Sequence, residues 1–253
     1  MTVSRFIFLY LWIAPHALQA VLAVMMIQRK LLREFPVFFA YTVFEIAQFL
    51  VLFGADQWDR VSADQYVVLW LVGGTISIAL RFAVVYEIFT VVFRSYPALQ
   101  EFGAVLFRWA TVVLMIVAVM LVGYSSGNEI DRFTVPLTIV DRAVSLIQCG
   151  LLVLLILLVR LLSFPWTSYA FGIAMGLGFY ASLELAVSAL RAYVGLTTAQ
   201  ILFDDISMGA YHCCVVFWIV ALLLPQRKSS KTSSTPIQDL EHWNDALQRL
   251  LQQ

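Results

Sequence analysis

Seven runs of apolar residues, at 6–27, 35–53, 66–93, 104–122, 135–162, 169–190 and 206–224, constrain this chain more than any other feature. A helix rises 1.5 Å per residue, so about 20 residues cross a hydrocarbon layer of roughly 30 Å. The runs are continuous rather than alternating, and they are far longer than the roughly 9 to 11 residues of a barrel strand. Composition agrees: 62% of the 253 residues are hydrophobic and 13% are charged, whereas a soluble domain carries about 25% charged residues. The expectation is an all-α integral membrane protein: a seven-transmembrane-helix bundle over residues 1–225, a polar linker over 226–235, and a short amphipathic helix over 236–253. A formal net charge of zero leaves no basic face for nucleic acid.

Basic residues at the span ends set the expected orientation. One side gathers Arg29, Lys30, Arg33, Arg94, Arg108, Arg160, Arg227, Lys228 and Lys231, and the other holds Arg5, Arg60, Arg132 and Arg191. Lys and Arg accumulate on the cytoplasmic side, which places the N-terminus outside and the C-terminus inside a cytoplasmic (plasma) membrane. A secretory signal is the rival reading of the first run, since FIFLYLWIA is followed by Pro15 and ALQA. Apolar residues nevertheless continue through VLAVMMI to QRK, which makes a span.

Three of the turns share a pattern of arginine, aromatic and proline: LLREFPVFF at 31–39, FRSYPAL at 93–99 and VRLLSFPWT at 159–167. An arginine that reaches headgroups, an interfacial ring and a helix-starting proline mark a lipid boundary. They also serve as a height gauge. His16 lies 13 residues from Arg29, Glu45 lies 12 from Arg33, Arg81 lies 13 from Arg94, and His212 lies 15 from Arg227. All four fall at one depth, about 18 to 22 Å from the arginine level. A charge there costs about 2.5 to 3.5 kcal/mol, so Glu45 and Arg81, on consecutive spans, are expected to pair.

Further polar residues recur at helical spacing: Tyr41, Glu45 and Gln48; Tyr180, Glu184, Ser188 and Arg191; Asp205, Met208 and His212; Asp141, Ser145 and Gln148. Together they predict a polar crevice open to the exterior and lined by Tyr41, Gln48, Tyr180, Glu184, Ser188 and Asp205 around the belt of His16, Glu45, Arg81 and His212. Glu87 is expected to meet Arg94 instead. Arg142 and Arg160 have 17 residues between them and mark opposite interfaces. GIAMG, with Gly172 and Gly176, reads as close helix packing, because a phosphate cradle needs a preceding strand and water.

Catalytic signatures are missing from the sequence: it holds no Gly-x-Ser-x-Gly elbow, no His-Glu-x-x-His pair, no Walker lysine and no lysine inside a span. Haem ligation by His16 and His212 matches in depth but lacks an evident pocket and further ligands, so no cofactor and no metal are expected. Cys149, Cys213 and Cys214 all fall within spans and read as reduced packing residues. In the tail, Thr235, Pro236 and Gln238 punctuate a helix whose stripe of Leu240, Trp243, Leu247, Leu250 and Leu251 can lie on the bilayer, a cytoplasmic protein partner or a second copy. The functional expectation is a receptor-like sensor with an outward crevice coupled to a cytoplasmic partner. The alternatives are a small-solute or proton transporter and an assembly subunit.

Overall fold

The computed structural model describes residues 3–58, 61–94, 97–124, 129–161, 168–194 and 200–224, and these form seven long helices. They are α1 (Val3–Gln28), α2 (Pro36–Gln57), α3 (Ala63–Val92), α4 (Pro97–Tyr124), α5 (Glu129–Leu161), α6 (Ser168–Val194) and α7 (Gln200–Leu223), with a single 3-10 turn at Leu31–Arg33. No strand occurs among the described residues. Among the described residues, six helices, α1, α2, α3, α5, α6 and α7, contain a stretch long and apolar enough to cross a membrane. The linker at 226–235 and the amphipathic helix at 236–253, with its leucine and tryptophan stripe, lie outside the described residues.

Local sequence explains the helix starts. Pro36 and Pro97 open α2 and α4, where the first-turn N–H groups have no intrahelical partner and proline loses nothing. Pro165 lies outside the described residues. A capping box begins α3: Ser62 Oγ accepts from Gln65 N at 3.3 Å, and Gln65 Oε1 accepts from Ser62 N at 3.0 Å.

The helices α1, α2, α3, α5, α6 and α7 close a ring, α7 returning to α1. The fourth helix stands outside it against α3 and α5, while α3 reaches α6 across the middle. Odd-numbered helices start at one face of the bundle, called here the amino-terminal face, and even-numbered helices start at the opposite face.

Packing differs sharply between the two halves. The continuous apolar core occupies the opposite half, built from Leu22 and Met26 late in α1, Phe38 early in α2, Phe89 late in α3, Leu155 late in α5, Leu177 in α6 and Trp218 late in α7. Trp218 sits at its centre. Its indole Nε1 donates to the Ile173 carbonyl at 3.3 Å, and Phe38 meets it edge-on with ring centroids 5.0 Å apart. Glycine permits this approach: a Cβ at Gly172 would come 2.6 Å from Ala221 Cβ, and one at Gly176 would meet the Trp218 indole. GIAMG is therefore the contact line of α6 on α7, as its spacing predicts. Outward-facing side chains such as Leu50, Trp109, Leu146 and Val153 are apolar and exposed, which suits a bundle bathed in lipid rather than water.

Glu87 corrects one expectation. Its carboxylate does not meet Arg94 but accepts from the backbone N–H groups of Val37 at 2.7 Å and Phe38 at 2.8 Å. These are free donors of the first turn of α2, where the positive end of the helix dipole also favours an anion. A side chain of α3 thus caps its neighbour at the opposite face.

Candidate functional site

The amino-terminal half of the ring is hollow. A cleft of about 540 Å³ lies between α1, α2, α3, α5, α6 and α7, walled by Trp12, Trp70, Tyr41, Tyr180 and Tyr211 and carrying Glu45, Arg81, Asp141 and Glu184. It ends where the apolar core around Trp218 begins, with Tyr41 belonging to both.

Each helix contributes through a local feature. Pro15 interrupts the hydrogen bonding of α1 and leaves the Leu11 carbonyl without its usual donor, and Leu11, Trp12, Pro15 and His16 form one wall. His16 Nδ1 lies 2.9 Å from the Trp12 carbonyl. A carbonyl only accepts, so Nδ1 carries a proton and the neutral ring offers Nε2 as an acceptor. Phe49 of α2 stacks on the same imidazole, with centroids 4.2 Å apart. In α3, Gly73 makes room for the Gln48 side chain, since a Cβ there would lie 2.6 Å from Gln48 Nε2.

Arg81 is 6% exposed. Its Nη2 donates to Asp141 Oδ1 in an ion pair joining α3 to α5, and its guanidinium carbon lies 5.6 Å from the centroid of the Tyr180 ring. The expected pairing of Arg81 with Glu45 is therefore replaced. Glu45 instead accepts a hydrogen bond from Ser77 Oγ. The reason is the ring closure: α4 is excluded to the periphery, α5 packs on α3, and Asp141 arrives at the arginine's level. Tyr211 completes the floor, its hydroxyl accepting from the buried amide of Gln19.

Of the residues singled out from sequence, His16, Glu45, Arg81, Tyr41, Gln48, Asp141, Tyr180, Glu184 and Met208 line this cleft. Ser188 lines a smaller adjoining cavity of about 70 Å³ with Asp141, Arg142 and Glu184. His212 and Asp205 line neither: His212 packs on Tyr10, with ring centroids 5.7 Å apart, and Asp205 Oδ1 is buried without a hydrogen-bond partner among the described residues. The α7 residues that face the cleft are Ser207, Met208 and Tyr211, so Met208 of the expected stripe lines it, with Tyr211 in place of His212. His16 and His212 thus lean on different helices, α2 and α1. Among the described residues, no three His, Cys, Asp or Glu side chains are placed to share a metal ion. Trp12, Trp70, Ser77, Ser207 and Tyr211 were not foreseen, although the Ser207 and Tyr211 spacing of four residues marks one helix face.

Fold and cleft together define a helical membrane protein with a polar cleft in one half and a buried apolar core in the other. No protein-family model, no curated protein and no solved structure matches the chain.

Proposed function

We propose that the protein is a receptor-like sensor of seven membrane-spanning helices, with α4 as the seventh span, the N-terminus and cleft facing outside, and the C-terminus in the cytoplasm. One observation carries this reading: a large polar cleft occupies the half towards the amino-terminal face, and a continuous buried apolar core occupies the other. A cleft of 540 Å³ falls within the range of about 300 to 1,000 Å³ common for small-molecule sites. Its lining comes from six helices, so an occupant touches nearly every element whose relative position it could bias. Transport would need a path through the Trp218 plug, which supports sensing over carriage. The excess of Lys and Arg at the opposite face supports the orientation.

Two measurements test it. With Cys149, Cys213 and Cys214 replaced by alanine, single cysteines at Ser207 and Gly74 are expected to react with a membrane-impermeant maleimide from outside intact cells. Reaction only from the cytoplasmic side refutes the orientation. Spin labels at the opposite ends of α1 and α6 are expected to change separation when Ser207→Trp fills the cleft; unchanged separations leave the bundle a rigid scaffold.

A further inference from the structure

We infer that the cleft takes a small organic cation, an amine or ammonium compound, with Glu45 as its counter-charge and the aromatic walls around its body. This inference rests on reading the cleft as a ligand site.

Charge is the first argument. Within the cleft the Arg81 guanidinium is matched by Asp141, and Glu184 shares the adjoining cavity with Arg142, which leaves the Glu45 carboxylate as the formal negative charge of the cleft. The arginine is already engaged, held by Asp141 and stacked over Tyr180. Among the described residues Glu45 receives a single hydrogen bond, from the neutral hydroxyl of Ser77. In a low-dielectric interior a carboxylate so placed favours a cation entering beside it. An anionic ligand would meet the opposite field.

Hydrogen-bonding chemistry points the same way. His16 Nε2 is an acceptor when the ring is neutral, Gln48 Oε1 is buried without a partner, and the Leu11 carbonyl receives no N–H from Pro15. Each calls for a donor, and an ammonium group brings up to three. Arg81 Nε, on the cleft lining, is a buried donor with no partner among the described residues and suits an oxygen substituent on the same ligand.

The walls supply the third argument. Trp12, Trp70 and the tyrosines put aromatic rings on the lining, and such rings attract cations most strongly when both are withdrawn from water. The volume exceeds that of a bare ammonium ion, so the cation carries an apolar body of about one ring.

The amine can be a free solute or the headgroup of an aminophospholipid, and the assay separates them. The full chain is placed in nanodiscs of phosphatidylglycerol alone and titrated calorimetrically with phenethylamine, tetramethylammonium, 2-phenylethanol and 3-phenylpropanoate. Phenethylamine is expected to bind at least tenfold more tightly than the alcohol or the acid. Glu45→Gln should weaken it at least tenfold, and Glu45→Asp should restore part of the loss. A matching elution profile and melting temperature for Glu45→Gln verify its folding. Loss of phenethylamine binding in discs containing phosphatidylethanolamine identifies the headgroup as the source. If the alcohol or acid binds as tightly as the amines, and Ser207→Trp abolishes that binding, the cation inference falls while the ligand cleft stands. If no probe binds, both fall.

Discussion

Replacing Glu87 with glutamine tests the cap that joins α3 to α2. Each carboxylate oxygen now accepts one backbone N–H, from Val37 at 2.7 Å and Phe38 at 2.8 Å, and the side chain is buried with its residue 6% exposed. A primary amide keeps one acceptor and turns an N–H towards the other donor. One charge-assisted hydrogen bond is lost, worth about 1.5 to 3 kcal/mol, and the anion leaves the positive end of α2, worth about 0.3 to 1 kcal/mol. The expected loss for Glu87→Gln is therefore about 2 to 4 kcal/mol. Glu87→Ala should cost more, because both donors are then orphaned. Unfolding in mixed micelles titrated with dodecyl sulfate, followed by far-ultraviolet circular dichroism, measures both. Arg94→Ala serves as the control and should change stability by less than about 0.5 kcal/mol. A Glu87→Gln variant as stable as the parent would show that no ionised carboxylate caps α2; a large loss for Arg94→Ala would restore the pairing expected from sequence.

The same unfolding assay checks three further outcomes. Asp141→Ala strands a buried guanidinium and should cost about 2 to 4 kcal/mol, the lower part of the usual range applying because the Asp141 side chain is 31% exposed; the double variant Arg81→Met with Asp141→Leu should recover most of this loss. Gly172→Ala puts a methyl 2.6 Å from Ala221 Cβ and should cost about 1 to 3 kcal/mol, whereas Gly150→Ala and Gly209→Ala meet nothing within 4 Å and should be neutral or better. Gln148 is fully buried with both amide atoms unpartnered among the described residues, so Gln148→Leu should stabilise by about 1 to 3 kcal/mol; a loss would mean that the amide bonds to water inside the bundle.

Height along the bundle was readable from sequence, and angle around it was not. Counting residues from basic turns at 1.5 Å each placed His16, Glu45 and Arg81 at a common level, and all three line one cleft. His212 belongs to the same count but faces Tyr10, because one residue of helix is a rotation of about 100° and Tyr211 is the α7 ring on the cleft side. The partner of Arg81 escaped for a related reason. Sequence adjacency points to α2, but the choice of Asp141 follows from α4 lying outside the ring, a long-range packing outcome with no local signal. Glu87 has no local signal either, because a carboxylate that caps a different helix leaves no motif in its own. The α3 capping box, by contrast, is written in Ser62, Ala63, Asp64 and Gln65, just ahead of the apolar run that starts at Tyr66. Short patterns governed by one turn of backbone were legible, as Pro36, Pro97 and the glycines of α6 confirm.

The proposed sensing needs a mechanical link from cleft to far face, and α3 is the element placed to provide one. It carries Ser77 and Arg81 in the cleft, and Glu87 at the start of α2. Arg81 and Glu87 are six residues apart on one unbroken helix, about 9 Å along its axis. A helix transmits a displacement of that kind nearly rigidly, so a cation that draws Glu45 away from Ser77, or loosens Arg81 from Asp141, moves the cap as well. The α2 start would follow, because its first N–H groups have no other acceptor in the described contacts. Glu87→Gln should then uncouple the two ends: amine binding in the cleft persists, while the distance changes at the opposite face shrink. Undiminished changes in that variant would assign the coupling to another helix, with α7 next in line because Tyr211 lines the cleft and Trp218 fills the core two turns below it.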